Sequence, residues 1–482
     1  MIDINNTYSD LPSEFYHRVK PSASINPELI SLNTELASFL NIDTKDKKLF
    51  TDIFSGKSIK RDSKPLAMVY AGHQFGNFVP RLGDGRAILI GEVKGKNNLL
   101  YDVHLKGSGK TMYSRNGDGR CPIGPAIREY LVSEAVNSLK IPTTRSLAIF
   151  STGEKVYRES NLPGAILVRV ASSHIRVGTF EYFSYKKDFK NLKILADYSI
   201  KRHFPNLIRR KDKYFIFFSE VVIRQLKLVS KWLSFGFIHG VMNTDNTLIS
   251  GETIDYGPCA FMDHFKKNKV FSSIDYGGRY SFNNQSFICF WNMLCFANAI
   301  LPLFDNTKSA AKILELELSN FKKKFTDQWT SDMSLKFGSK KNKIFDEDFF
   351  KSWTELLESE NLDYTNSFLK LEEILLLNKN GNKNIKQTNK IYIFAEKWIK
   401  ILKANSISLD SALKTMRENN PYYIPRNHIV EKVINEGVEG NFNKLEEVYK
   451  IIKDPFKKKK GFRPSEQEPK EDEKVFSTFC GT

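Results

Sequence analysis

An α+β fold is predicted, in which a sheet crossed by one helix precedes a longer helical region. Three observations predict it. Between residues 65 and 175 glycines cluster and four β-prone runs appear, at 87–93, 99–105, 146–150 and 165–170. One helical stretch, 122–139, interrupts those runs and opens on a proline, which suits a first helical turn. From about residue 180 onward apolar residues recur at i, i+3 and i+4, most clearly over 219–237.

Taken in order, residues 1–64 form an N-terminal extension with a helix expected over 27–40. Residues 65–178 form a strand-rich unit and residues 179–455 a mostly helical one. Residues 456–482 form a polar tail, loose over 460–475 and apolar again at its end. A hairpin is expected after residue 246, with TLIS and TIDYG as its arms and Gly251-Glu252 at its turn. Residues 285–420 read as several helices joined by lysine-rich connectors.

A chain of 482 residues is too long for one small core and suits subdomains around a shared cleft. No uninterrupted apolar run reaches about 18 residues, so no membrane span is expected. The opening MIDINNTYSD is polar and acidic, so no secretory leader is expected. The five cysteines (Cys121, Cys259, Cys289, Cys295 and Cys480) form no CxxC pair. That argues against a zinc site or a disulfide framework and makes the cytoplasm the expected location. The net charge of +18 raises nucleic acid as a partner. Against it, lysine is spread along the whole chain, and the one dense run, 457–460, falls in the polar tail. Basic residues interleaved with aromatics on strands are absent too.

The candidate chemistry begins at Arg81-Leu82-Gly83-Asp84-Gly85-Arg86. Two glycines one residue apart let the backbone approach a ligand, and a strand follows, as where a kinase covers ATP phosphates. About twenty residues later Val103-His104-Leu105-Lys106 has the form of the strand whose lysine pairs with phosphates. The neighbouring Gly107-Ser108-Gly109-Lys110-Thr111 imitates a P-loop, but that loop needs glycine where His104 stands. The helix over 122–139 carries Glu129 and Glu134, and such a helix must supply one glutamate to hold the strand lysine. Glu129, among apolar neighbours, is the choice. Gly117-Asp118-Gly119-Arg120 makes a second glycine turn, and Arg169 and Arg176 have the forked shape that fits polyphosphate.

The most informative segment is His239-Gly240-Val241-Met242-Asn243-Thr244-Asp245-Asn246. His239 and Asn246 stand seven apart, as in the catalytic loop H-R-D-L-x-x-x-N. Val241 occupies the place of the catalytic aspartate and cannot accept a proton, whereas Asp245 can. Asp255-Tyr256-Gly257 follows in the place of D-F-G and is preferred over the more distant triplet at Asp275. Asn246 and Asp255 offer oxygen ligands suited to Mg²⁺ or Mn²⁺. In this order the motifs predict a protein kinase-like two-lobed fold with additional N-terminal and C-terminal helical elements.

The same residues resemble the selenoprotein O family of protein adenylyltransferases. The stretches that carry the resemblance are AGHQFGNFVPRLGDGRA, HLKGSGKTMYSRNGDGR, PIGPAIREYLVSEA, HGVMNTDNTLISGETIDYGPCAFMD and NPYYIPRNHIVE, from about residue 65 to 430. The resemblance implies a kinase-like fold that holds ATP in a flipped orientation and moves AMP, or UMP, onto Ser, Thr or Tyr hydroxyls of proteins, itself included. It implies nucleotide contacts from Gly83, Gly85, Arg86, Lys106, Asp118, Gly119, Arg169, Arg176 and Asp255. It implies a metal on Asn246 and Asp255, and Asp245 as proton acceptor. A monomer is expected. Some relatives carry selenocysteine near the C-terminus, where this chain has Cys480. Some bacterial ones have a cysteine in the segment after DYG, where 270–278 has none, which counts against a disulfide lock through Cys480. The competing readings are an ordinary kinase, which Val241 opposes, and an inactive ATP-binding scaffold, which the intact Lys106, Asp245, Asn246 and Asp255 oppose.

Overall fold

The computed structural model of the chain describes residues 4–59, 63–341, 343–381, 389–463 and 467–479. Cys480 lies outside them. The first elements are β1 (Tyr16–Arg18), β2 (Glu28–Leu32), α1 (Thr34–Phe39), α2 (Lys47–Phe54) and β3 (Leu66–Met68), then a small hairpin of β4 (Gly72–Gln74) and β5 (Asn77–Val79). There follow β6 (Ala87–Lys94), β7 (Leu100–Lys106), β8 (Cys121–Pro122), α3 (Ile123–Ser138), β9 (Arg145–Tyr157) and β10 (Asn161–Ala171). The main sheet runs β1-β3-β6-β7-β10-β9-β2, with β8 added beside β10. The first 64 residues therefore supply two of its strands.

The central strands are apolar on both sides because both faces of the sheet are covered. On one face α1 and α2 pack Leu36, Phe50 and Phe54 against Ile90, Val103, Leu105 and Phe150. On the other, α3 packs Ile127, Tyr130 and Leu131 against Ile149 and Leu167, and two C-terminal helices close over it with Val433, Leu445 and Tyr449.

The helix expected over 27–40 is a strand and a shorter helix. Leu29 and Leu32 pair with Phe150 and Ala148 at the edge of β9. The Asn33 side chain then accepts a hydrogen bond from the Leu36 amide at 3.0 Å and starts α1 only at Thr34. The apolar spacing over this stretch fits either period, and the open edge of β9 decides between them.

The helical region comprises α4 (Val177–Tyr185), α5 (Phe189–His203), α6 (Lys213–Ser234), the short pair β11 (Phe237–Ile238) and β12 (Ala260–Phe261), α7 (Gln285–Ile300), α8 (Thr307–Ser319), α9 (Phe321–Lys336) and α10 (Glu347–Ser359). It continues with α11 (Tyr364–Lys379), α12 (Lys390–Ala404), α13 (Leu409–Asn419), α14 (Asn427–Val438) and α15 (Asn443–Ile452). The hairpin expected after residue 246 does not form. Leu248 bridges to Arg176 and Thr253 to Thr143, so each arm finds a different partner across the molecule. The tail is tied down in places: Asn366 donates to Glu468 at 2.6 Å, and the Thr478 amide donates to the Phe271 carbonyl at 2.7 Å. One described helical stretch, Phe282–Leu303, is long and apolar enough to cross a membrane, and half of it is buried within the fold.

Candidate active site

The sheet register sets the first part of the site. Lys106 on β7 lies opposite Leu167 on β10, and His104 opposite Arg169, so Lys106 and Arg169 share the face that α3 covers. Glu129 on α3 meets both. Lys106 Nζ donates to Glu129 Oε2 at 2.6 Å, and Arg169 Nε donates to Glu129 Oε1 at 2.6 Å. Lys106 also reaches Asp255 Oδ1 at 3.2 Å, and Arg169 lies 3.8 Å from the same oxygen. Asp255 has φ +66°, a left-handed conformation uncommon outside glycine, at the start of its DYG turn. Burial pushes its carboxyl up, but Lys106, Arg86 and Arg169 outweigh burial and hold it well below the usual carboxylate range. Asp255 is thus a fixed anion. Burial likewise pushes Glu129 up, and Arg169 and Lys106 reverse it.

The second part is the loop after β11. His239 is a structural residue. Its ring stacks on Trp232, Nε2 donates to the Ile254 carbonyl at 2.8 Å, and Nδ1 accepts from the Val241 amide. Asn246 donates through Nδ2 to the Val241 carbonyl at 3.2 Å, so Oδ1 is the atom it can offer. Arg176 donates to the Asp245 carbonyl at 2.6 Å, and its guanidinium lies 4.3 Å from the Tyr70 ring centroid and 3.5 Å from Asp84 Oδ1. Arg176 therefore fastens the glycine turn to the loop of Asp245.

Asp245 is buried, and its two oxygens differ. Oδ2 accepts from Gln74 Nε2 at 3.1 Å, whereas Oδ1 has no partner among the described residues. Burial pushes the carboxyl up to about 6, against the lowering effects of Gln74 and Arg176. A carboxylate near 6 with one free oxygen suits proton acceptance near neutral pH.

The sequence reading assigned no role to the β4–β5 hairpin, which holds this loop. The His73 amide donates to Thr244 Oγ1 at 2.7 Å, His73 Nδ1 pairs with Glu181 Oε1 at 2.6 Å, and Thr244 donates to Glu181 Oε2. Cys295 Sγ completes a group whose ligand atoms lie within 4.8 Å of one another, separate from Asn246 and Asp255. In this structure the His73–Glu181–Thr244 bonds serve as a clamp. An added Cβ at Gly72 would sit 2.5 Å from Asp245 Oδ1, so glycine lets the hairpin come this close. Gln74→Leu removes the bond that lowers Asp245. The pH midpoint of turnover is expected to move upward from about 6, as a pH–rate profile would show.

The other predicted residues fall as follows. Gly83 and Gly85 pack against the loop after β7, where an added Cβ would meet the Tyr113 ring at 2.4 Å or its carbonyl oxygen at 2.9 Å. Arg86 lies near enough to Asp255 to lower it. Asp118 is held by Arg158 at 2.9 and 3.1 Å, and Gly119 packs on Gly109. The P-loop imitation opens no helix, since α3 begins only at Ile123. Asp275 accepts from the Arg279 and Tyr280 amides at 2.9 and 2.8 Å, so the second DYG caps a turn.

The family model of protein adenylyltransferase SelO matches residues 1–453. A protein nucleotidyltransferase YdiU of Maridesulfovibrio salexigens is 44% identical over 487 residues, covering 100% of this chain and 99% of the relative. One of Clostridium perfringens is 44% identical over 483 residues (100% and 98%), and one of Bacillus cereus 42% over 488 residues (100% and 98%).

Proposed function

The chain belongs to the SelO family of protein adenylyltransferases, and from that premise we propose that it transfers AMP from ATP to Ser, Thr or Tyr hydroxyls of proteins, itself included. UMP transfer from UTP would use the same machinery. The observation that carries this reading is Asp245, a buried carboxylate with an unpartnered oxygen on a loop whose usual base position holds Val241. The order of Lys106, Glu129, Asn246 and Asp255 along the chain, and the pairing of Lys106 with Glu129 and Asp255, support a kinase-like two-lobed arrangement, divided near residue 178. Among the described residues Cys259, Cys289 and Cys295 are free thiols, which suits a cytoplasmic setting, and we read the enzyme as a monomer.

Asp255 and the Oδ1 atom of Asn246 fit a hard cation, Mg²⁺ or Mn²⁺, because one is a permanent anion and the other a neutral oxygen donor. Such an ion, when bound, neutralises phosphate charge. Lys106 and Arg169, both held by Glu129, present cations to the phosphates, together with Arg86 and Arg176. Asp245 Oδ1 accepts the proton of the attacking hydroxyl. The hydroxyl oxygen forms a bond to the α-phosphorus, the bond from that phosphorus to the bridging oxygen breaks, and pyrophosphate leaves with the bond's electron pair. Water or a γ-phosphorus in the same place would give hydrolysis or phosphorylation, so orientation of the triphosphate decides the product.

Incubation with ATP labelled at the α or the γ position tests this. Label is expected on protein only from the α position, with release of pyrophosphate. Retention from γ, with a mass gain of one phosphate, would show a kinase despite Val241.

A further inference from the structure

A large cavity among the described residues shares no residue with the site above. It is a groove of about 820 Å³ between α7, α9, α10 and the segment leading into α7. Its walls are aromatic: Phe287 and Phe290 from α7 face Phe321, Phe325 and Trp329 from α9 and Phe350 from α10. The stretch Phe282–Leu303 has a mean hydropathy of 1.6, yet only half of it is buried, and Phe287 is 55% exposed. A helix apolar all round ordinarily sits wholly inside a protein. Here one face is uncovered and borders a cavity of the size that binds ligands.

The rim narrows the choice of occupant. Lys267, Lys322 and Lys351 border the groove, against one acidic residue, Glu347. Lys322 and Lys351 are exposed. An apolar trough with a cationic mouth complements an apolar segment with acidic ends. The trough is concave, which fits a helix better than a flat surface. Its floor includes Phe265 and Phe282, which flank the segment carrying Asp275 and Tyr280, and the Tyr280 hydroxyl donates to Asn243 in the loop of Asp245. An occupant of the groove would therefore rest on the segment that reaches the catalytic loop.

We propose that this groove docks an amphipathic helix with acidic ends, carried by the protein that is to be modified. The inference rests on the protein-modifying reading above and names the feature by which the enzyme would choose its targets. Main-chain contacts at a hydroxyl-bearing residue distinguish proteins poorly, and a second apolar anchor supplies both affinity and choice.

The test uses the full chain and a short fluorescent peptide with Leu and Phe at i, i+3, i+4 and i+7 and Glu at both ends. Its controls are the same peptide with Lys at both ends and vesicles of phosphatidylglycerol. The Glu-ended peptide is expected to bind saturably, and the Lys-ended one about tenfold or more weakly. Phe287→Glu, at an exposed position, and the pair Lys322→Glu with Lys351→Glu should each weaken it by a similar factor while circular dichroism stays unchanged. Both should keep self-labelling from α-labelled ATP, so loss of label in every protein would indict the chemistry and not the groove. Fused to an acceptor protein, the Glu-ended peptide should raise that protein's labelling by wild type and not by Phe287→Glu. Equal binding of the two peptides would overturn the proposal, as would wild-type binding by a folded Phe287→Glu. So would uptake of vesicles without peptide binding, or a dimer in sedimentation that Phe287→Glu dissolves, since these assign the face to a membrane or to a second copy.

Discussion

Asp245→Asn is expected to lower AMP transfer by about 10²–10⁴-fold, the usual contribution of a positioned base, while ATP affinity changes little. The variant keeps the shape of the side chain and the carbonyl that Arg176 holds, and it removes only the acceptor of the proton. Turnover of the wild type should rise with pH up to about 6, where Asp245 ionises, and level off above it. The variant should lack that limb. Stability should move the other way. Raising a carboxyl from its ordinary value to about 6 corresponds to about 3 kcal/mol of cost to the ionised form. The folded-state value lies above the unfolded one, so the native chain binds the proton more tightly. The cost is present in full above pH 6 and fades as pH falls toward 4. At pH 7, then, Asp245→Asn should melt higher than wild type while turning over far more slowly. An activity loss with a lower melting point would point to a structural role instead.

Much of this site was legible because its chemistry depends on order along the chain. A strand lysine, a helix glutamate, an asparagine and a DYG aspartate can be read in sequence, and Lys106, Glu129 and Asp255 do meet. The supports were not legible, because they are long-range and use ordinary groups. Gln74 lies 171 residues from the carboxylate it touches. Arg176 was expected at phosphates, and its additional hydrogen bond to the Asp245 backbone carbonyl, 69 residues away, was not foreseen. A periodicity test cannot see the edge of β9 that turns 28–32 into a strand. Nor can it see the separate partners, Arg176 and Thr143, that pull the arms of the expected hairpin apart. Two DYG triplets look alike in sequence; spacing from Asn246 favours Asp255, and the structure adds that Asp255 meets Lys106 whereas Asp275 caps a turn.

Glu129→Gln should destabilise the fold strongly, by about 3–5 kcal/mol, because it leaves buried cations without their anion. Glu129 is 1% exposed and accepts from Lys106 and Arg169 at once. Asp255 remains 3.2 Å from Lys106 and 3.8 Å from Arg169, which places the expected loss toward the lower end of that range. A shift of the urea midpoint at unchanged slope would measure it. The pH dependence has the opposite sign to that of Asp245. The folded-state value of Glu129 lies below its ordinary 4.5, so its stabilisation is present above that pH and is lost as pH falls through the depressed value. Acidification of the wild type should thus first relieve the cost of ionised Asp245 and only later remove the support from Glu129. The stability maximum should lie on the acid side of neutrality, where turnover is already declining. Activity is lost in Glu129→Gln as well, since Lys106 and Arg169 are no longer aimed together. A variant as stable as wild type would show that Asp255 alone balances the two cations, and that Glu129 only orients them.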